Sequence, residues 1–184
     1  MAKIATKTAT KTAPKAAPKP QAAPAKTSAK PLPNGMRSVT PHLVVAGAFD
    51  AIAWYEKAFG AQKLMAMPGP DGKLMHGCIR IGDSNVMLVD EFPNFGSIGP
   101  KTLKGTPVTI HLFVDDVDSF VAKAVEDGAK VIMPIWDAFW GDRYGVIEDP
   151  FGHKWSVATH VHDYTPEQIQ ENMKKSMGDG PTCA

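Results

Sequence analysis

The chain has 184 residues, 43% hydrophobic and 21% charged, which is the make-up of a globular protein with room for one ordinary domain and a tail. Its formal charge of +1 conceals an asymmetry: residues 1–35 hold seven lysines and no acid, so residues 36–184 carry 13 basic against 19 acidic side chains. An acidic body argues against a nucleic-acid-binding surface there, no run of 18 or more apolar residues spans a bilayer, and Cys78 and Cys183 alone make no disulfide framework.

Residues 1–35 form a Lys/Ala/Pro-rich segment with lysines at 3, 7, 11, 15 and 19 and prolines at 14, 18, 20, 24, 31 and 33. Recurrent proline prevents a helix and large apolar groups are too few to offset the entropy of ordering, so a disordered polycation is expected. Two readings stand for it: a solubilising linker, or a weak, salt-sensitive contact with nucleic acid. No continuous apolar stretch marks a secretory signal, and the expected compartment is the cytoplasm.

From Val39 the texture changes. Pro41–Ala46 reads as a strand and Asp50–Phe59 as an amphipathic helix with Ile52, Tyr55 and Phe59 on one face, closed by Gly60. Lys63–Met67 is a second strand, ended by the turn Pro68-Gly-Pro-Asp-Gly72. Leu74–Ile81 and Asn85–Asp90 read as a hairpin, and the Gly- and Pro-rich stretch Glu91–Gly105 as a link. The order then recurs: strand Pro107–Val114, helix Val117–Asp127, and strands Lys130–Ile135, Tyr144–Glu148 and Lys154–Thr159. Thr165-Pro-Glu-Gln168 has the pattern of a capped helix start, and that helix is expected over 165–178.

The recurrence extends to details. His42-Leu-Val-Val45 and His111-Leu-Phe-Val114 lie 69 residues apart, and both helices end in Gly-Ala followed by a lysine-led apolar run closing on proline. The fold class is therefore α+β: two β-α-β-β-β modules, about 39–91 and 106–160, within a domain of residues 36–164. Duplicated modules of this size suit a ligand site between packed units.

Ala51-Ile-Ala-Trp-Tyr-Glu-Lys-Ala-Phe-Gly-Ala61, Arg80-Ile-Gly-Asp83, Phe139-Trp-Gly-Asp-Arg-Tyr-Gly145 and Asp149-Pro-Phe-Gly-His-Lys-Trp155 carry a family resemblance. On these the chain resembles the vicinal-oxygen-chelate superfamily of glyoxalase, bleomycin-resistance and extradiol dioxygenase proteins, and within it the PhnB-like group. The resemblance covers about residues 39–162. It implies curled mixed sheets around a cavity, a homodimer and a small-molecule ligand, without fixing a reaction.

Metal-dependent members of that superfamily place ligands on the first, fourth, fifth and eighth strands, where the resemblance aligns Thr40, Leu88, Thr109 and Ser156. Leucine binds no metal and three hydroxyls suit a divalent ion poorly. A shift of two residues keeps the strand face and brings in His42, Asp90 and His111, with Ala158 in the fourth place. Two imidazoles and a carboxylate make a candidate set for zinc, nickel, manganese or iron, against the alternative that they line a wet cavity without metal.

Trp136, Phe139, Trp140, Arg143 and Tyr144 cluster in sequence, with rings to cover an aromatic ligand and a guanidinium to grip an anion. The alternative packs the tryptophans on the core or on a dimer partner and pairs Arg143 with Asp142 or Glu148. His76, on a strand with Cys78, is a candidate general base or a hydrogen-bonded structural histidine. Met65, Met67, Met75, Met87 and Met133 read as adaptable filler of core or cavity wall. Gly-x-Ser-x-Gly, a P-loop and Cys-x-x-Cys do not occur. The preferred reading is a binder of a small anionic or aromatic molecule. Its alternatives are a metal-dependent lyase or isomerase of the glyoxalase class, and a scaffold whose basic tail contacts nucleic acid.

Overall fold

A computed structural model describes residues 32–33 and 35–179 of the chain. The segment expected to be a tail over 1–35 lies almost wholly outside the described residues, as does Cys183.

The first module runs β1 (His42–Val45), α1 (Ala48–Ala58), β2 (Gln62–Pro68), β3 (Leu74–Ile81) and β4 (Ser84–Asp90). A 3₁₀ turn at Pro93–Phe95 and a short helix α2 (Pro100–Leu103) interrupt the link that sequence alone presents as irregular. The second module runs β5 (Thr109–Phe113), α3 (Val117–Glu126), β6 (Lys130–Asp137), β7 (Asp142–Glu148) and β8 (Lys154–His160), and α4 (Pro166–Asp179) follows. Each module makes its own four-stranded mixed sheet, ordered β1-β4-β3-β2 and β5-β8-β7-β6. In each, the first strand pairs parallel with the last and the other neighbours are antiparallel.

Local chemistry sets the helix ends. Asp116 caps α3 by accepting the Asp118 and Ser119 N–H groups. The capping box at α4 forms as its pattern predicts: the Thr165 N–H donates to Gln168 Oε1 and the Gln168 N–H to Thr165 Oγ1. β6 continues through Pro134 to Asp137, two residues past its expected end. It is an edge strand, and its pairing is irregular between Met133 and Trp136, so the missing proline N–H breaks no ladder bond.

One face of each sheet carries its helix, and both helical faces share a single core. Leu43, Leu74, Ile79 and Leu88 of the first sheet meet Ile147, Trp155 and Val157 of the second through Ile52, Tyr55, Phe59, Val117 and Val121. Phe59 packs edge-on against Trp155 at 5.1 Å and tilted against Phe120 at 4.9 Å. Side chains of this size each contribute roughly 1.5–3 kcal/mol on burial. The opposite face of each sheet is left open, with Met67 53% and Phe113 61% exposed.

Candidate functional site

Strand parity decides which candidate residues share a face. In the first sheet Leu43 pairs with Leu88 and Val45 with Asp90, and this is the helix-bearing side. Asp90 therefore points toward α1. Its Oδ1 accepts the Gly47 and Ala48 N–H groups at 2.9 and 3.0 Å, and its Oδ2 the Leu74 N–H at 2.7 Å. Gly47 is left-handed at φ 84 and offers no capping side chain, so the buried carboxylate of β4 takes over the orphan amides of the helix start.

His42 pairs with Met87 and lies on the open face, with Cys78 and Met65 completing the row across β3 and β2; His76 and Met67 sit one row along. Desolvation, then the neighbouring His76, holds the His42 imidazole below its usual range, so it is neutral at pH 7.

In the second sheet His111 pairs with Ser156 on the open face, its Nδ1 2.8 Å from Ser156 Oγ. Around it runs a continuous row of rings. Phe113 meets His111 edge-on at 4.5 Å, and Tyr144 lies nearly parallel to His111 at 6.2 Å. Trp140 meets Tyr144 at 5.5 Å, and Trp136 meets Trp140 at 5.6 Å. Asp142 Oδ2 accepts the Trp140 indole N–H at 2.8 Å and fixes that ring. Phe113 was not among the residues singled out from sequence. The available signal was the period of two that puts it on the face of His111.

Arg143 does not join this row. It pairs with Thr159, whose hydroxyl accepts the Val117 N–H at the start of α3, so it lies on the helix side. There its guanidinium binds both oxygens of Asp118 at 2.5 and 2.8 Å and Asp137 at 2.9 Å. Those hydrogen bonds, Asp118 first, raise its pKa further. Arg143 pairs with carboxylates, but these are Asp118 and Asp137, not the Asp142 or Glu148 expected from sequence, and its charge is matched before any ligand arrives. Phe139 packs edge-on against Trp140 at 4.9 Å, and its carbonyl accepts from Asn172 of α4.

A divalent metal does not fit these residues. Asp90 is on the opposite face from His42 with both oxygens committed to backbone amides, and His111 is paired with Ser156 in the other sheet. The register suggested by resemblance fares no better: Leu88 is fully buried in the core, and the Thr40 hydroxyl donates to the Arg37 carbonyl. Among the described residues, no three His, Cys, Asp or Glu side chains are placed to hold an ion.

A groove of about 470 Å³ runs between β1 and the link, walled by Val39, Leu43, Leu103, Val108 and Ile110. It carries His42 and His153, but His153 Nε2 is taken up by the Val44 carbonyl at 3.2 Å, and no phenylalanine, tyrosine or tryptophan lines it.

The signature motifs bind the two modules together. Asp149, 2% exposed, accepts the Tyr55 hydroxyl at 2.5 Å and the Trp155 indole at 2.9 Å on Oδ2, and the Phe151 and His153 N–H groups on Oδ1. Burial and the adjacent Asp149 push the Tyr55 phenol well above its usual range, so it stays a donor. The Trp54 indole N–H donates to the Asp127 carbonyl at the end of α3. This inter-module clamp is built from the helix motif and from Asp-Pro-Phe-Gly-His.

The sequence profile of the Glyoxalase/Bleomycin resistance protein/Dioxygenase superfamily matches residues 37–157. The chain belongs to that superfamily. The uncharacterized protein Mb0911c of Mycobacterium bovis is 49% identical over 146 residues, covering 78% of this chain and 95% of its own. TioX from Micromonospora sp. ML1 superposes with a TM-score of 0.54 at 25% identity, over 66% of this chain and 97% of its own. A PhnB protein from Bacillus cereus superposes with the same score at 15% identity, over 67% and 99%, a likeness of fold. Superfamily membership covers ligand-binding resistance proteins as well as enzymes. No helix among the described residues is long and apolar enough to cross a membrane.

Proposed function

We propose that the protein binds a planar aromatic small molecule on the open face of the second sheet, and that a second copy of the chain covers the site. The observation that carries this reading is the row Phe113, His111, Tyr144, Trp140 and Trp136, five rings in sequence on one face with Trp136 still 37% exposed. Rings supply large contact area, and stacked or edge-on contacts add about 0.5–1.5 kcal/mol each beyond burial. With Arg143 neutralised on the far side, the face selects for π-surface and shape, and a negative charge on the ligand contributes little. His111 and the Ser156 hydroxyl offer the polar contact that orients it.

The covering surface is argued from what one chain leaves uncovered. The open face of the first sheet is methionine-rich, with Met65 and Met67 exposed, and offers adaptable apolar side chains to the ring-lined face. In a two-fold dimer each copy lays its first sheet over its partner's second, closing two equivalent sites. A metal-dependent lyase or isomerase is not favoured, because the ligand set it requires is divided between faces and sheets.

Calorimetric titration with naphthalene-2-carboxylate and its saturated decalin analogue tests the reading. The aromatic acid is expected to bind the more tightly, with a loss of about tenfold in each of Tyr144→Ala and Trp136→Ala. Equal binding of the two acids, no binding of either, or undiminished binding by both variants overturns it.

A further inference from the structure

The open face of the first sheet collects six soft or borderline donors: His42, Met65, Met67, His76, Cys78 and Met87. Register places them together. Met87 and Met65 are the cross-strand partners of Cys78 on its two sides, and His42 is the partner of Met87. Directly opposed residues hold their Cβ atoms about 4.5–5.5 Å apart, within reach of a methionine with three rotatable bonds. His76 precedes Cys78 by two along the same strand and is opposed by Met67. That Cys78 points to this side follows from its neighbour: a Cβ on Gly77 would meet Ile52 of α1 at 3.3 Å, so Gly77 faces the helix and Cys78 the open side.

We propose that this face binds a soft monovalent ion, copper(I), between the Cys78 thiolate and the thioethers of Met65 and Met87, with His76 beside them. Ligand softness selects the ion. Zinc and other divalent ions draw on imidazole, carboxylate and thiolate, and no three such groups converge among the described residues. Thioethers add little for those ions but are good ligands for copper(I).

Charge selects it too. Cys78 is 3% exposed, and a thiol binds a metal as its thiolate, so the entering ion takes the place of the thiol proton. Binding releases that proton to solvent, and thiolate with a monovalent cation leaves a neutral pair, which suits the buried Cys78 position. A divalent ion there would leave an unmatched positive charge. No redox step is involved: the ion enters and stays as copper(I). All of its donors come from the first sheet of one chain, and the titration below is made without an aromatic ligand.

The test is an anaerobic titration of the full chain with copper(I) supplied as its bicinchoninate complex. A Cys183→Ser background removes the second thiol. Transfer of one ion per chain is expected, with near-ultraviolet absorption from the copper–thiolate bond. The Met65→Leu/Met87→Leu variant keeps volume and apolar character, as Leu-for-Met exchange usually costs under about 1.5 kcal/mol. It should bind at least about tenfold more weakly, while Phe95→Ala, an exposed residue of the link, binds like the parent. If the parent takes no copper from bicinchoninate, or the leucine variant takes it equally well, the methionines are packing groups and the proposal fails.

Discussion

Asp149 accepts four donors from three different places: a tyrosine on α1, a tryptophan on β8 and two amides of its own turn. Removing the carboxylate strands buried donors, each costing about 1–3 kcal/mol. Asp149→Ala is therefore expected to lower stability by about 3 kcal/mol or more, read as a fall in the urea midpoint at an unchanged slope. A loss within about 0.5 kcal/mol, the range of an ordinary surface substitution, contradicts the clamp. Asp90 plays the matching part in the first module, and it shows how a residue type misleads. A carboxylate two positions after Leu88 looks like a metal ligand on an inward strand. The parity that puts Leu88 in the core puts Asp90 on the same helix-facing side, where backbone amides occupy both oxygens.

The repeated strands and helices were legible because their hydrophobic periods, glycine stops and capping residues act locally. The α4 capping box and the Gly60 stop, with Gly60 at φ 64, form where their patterns place them. What sequence left open was the face on which each side chain lies, since a shift of one residue exchanges faces. Arg143 and Tyr144 are adjacent in β7, and only the register against β8 sends one to α3 and the other to the ring row. Next to that row, His160 is held between Asp142 at 2.7 Å and Asp163 at 2.9 Å, which ties the segment after β8 to β7. These bonds, Asp142 first, raise the His160 pKa above its usual 6.5. A histidine whose folded pKa is raised contributes fully below the unfolded value and loses that contribution as pH rises through the folded one. The stability difference between the parent and His160→Gln should be largest near about pH 5.5 and shrink by about pH 9. Urea titrations across that range check it, and a difference independent of pH contradicts it.

Among the described residues, the duplication leaves one open face on each of the two sheets. Both helices are used to weld the modules into a common core, so each sheet turns its other side outward, aromatic in one module and rich in methionine in the other. The motifs that identify the superfamily belong to the weld. This is why membership and fold were readable from sequence while the ring-lined face proposed as the site was not: its rings come from β5, β6, β7 and the turn before β7, and only folding assembles them. A surface of this kind becomes a site when a second copy covers it, and mixing two damaged chains tests that directly. One chain carries Trp136→Ala/Tyr144→Ala in the second sheet, and the other carries Met67→Asp in the first. Alone, neither should bind naphthalene-2-carboxylate. After exchange of subunits, mixed dimers hold one undamaged pair of faces, and binding should return to about a quarter of the parent's sites. Full binding by the Met67→Asp chain alone, or no recovery on mixing, would show that the second copy is no part of the site.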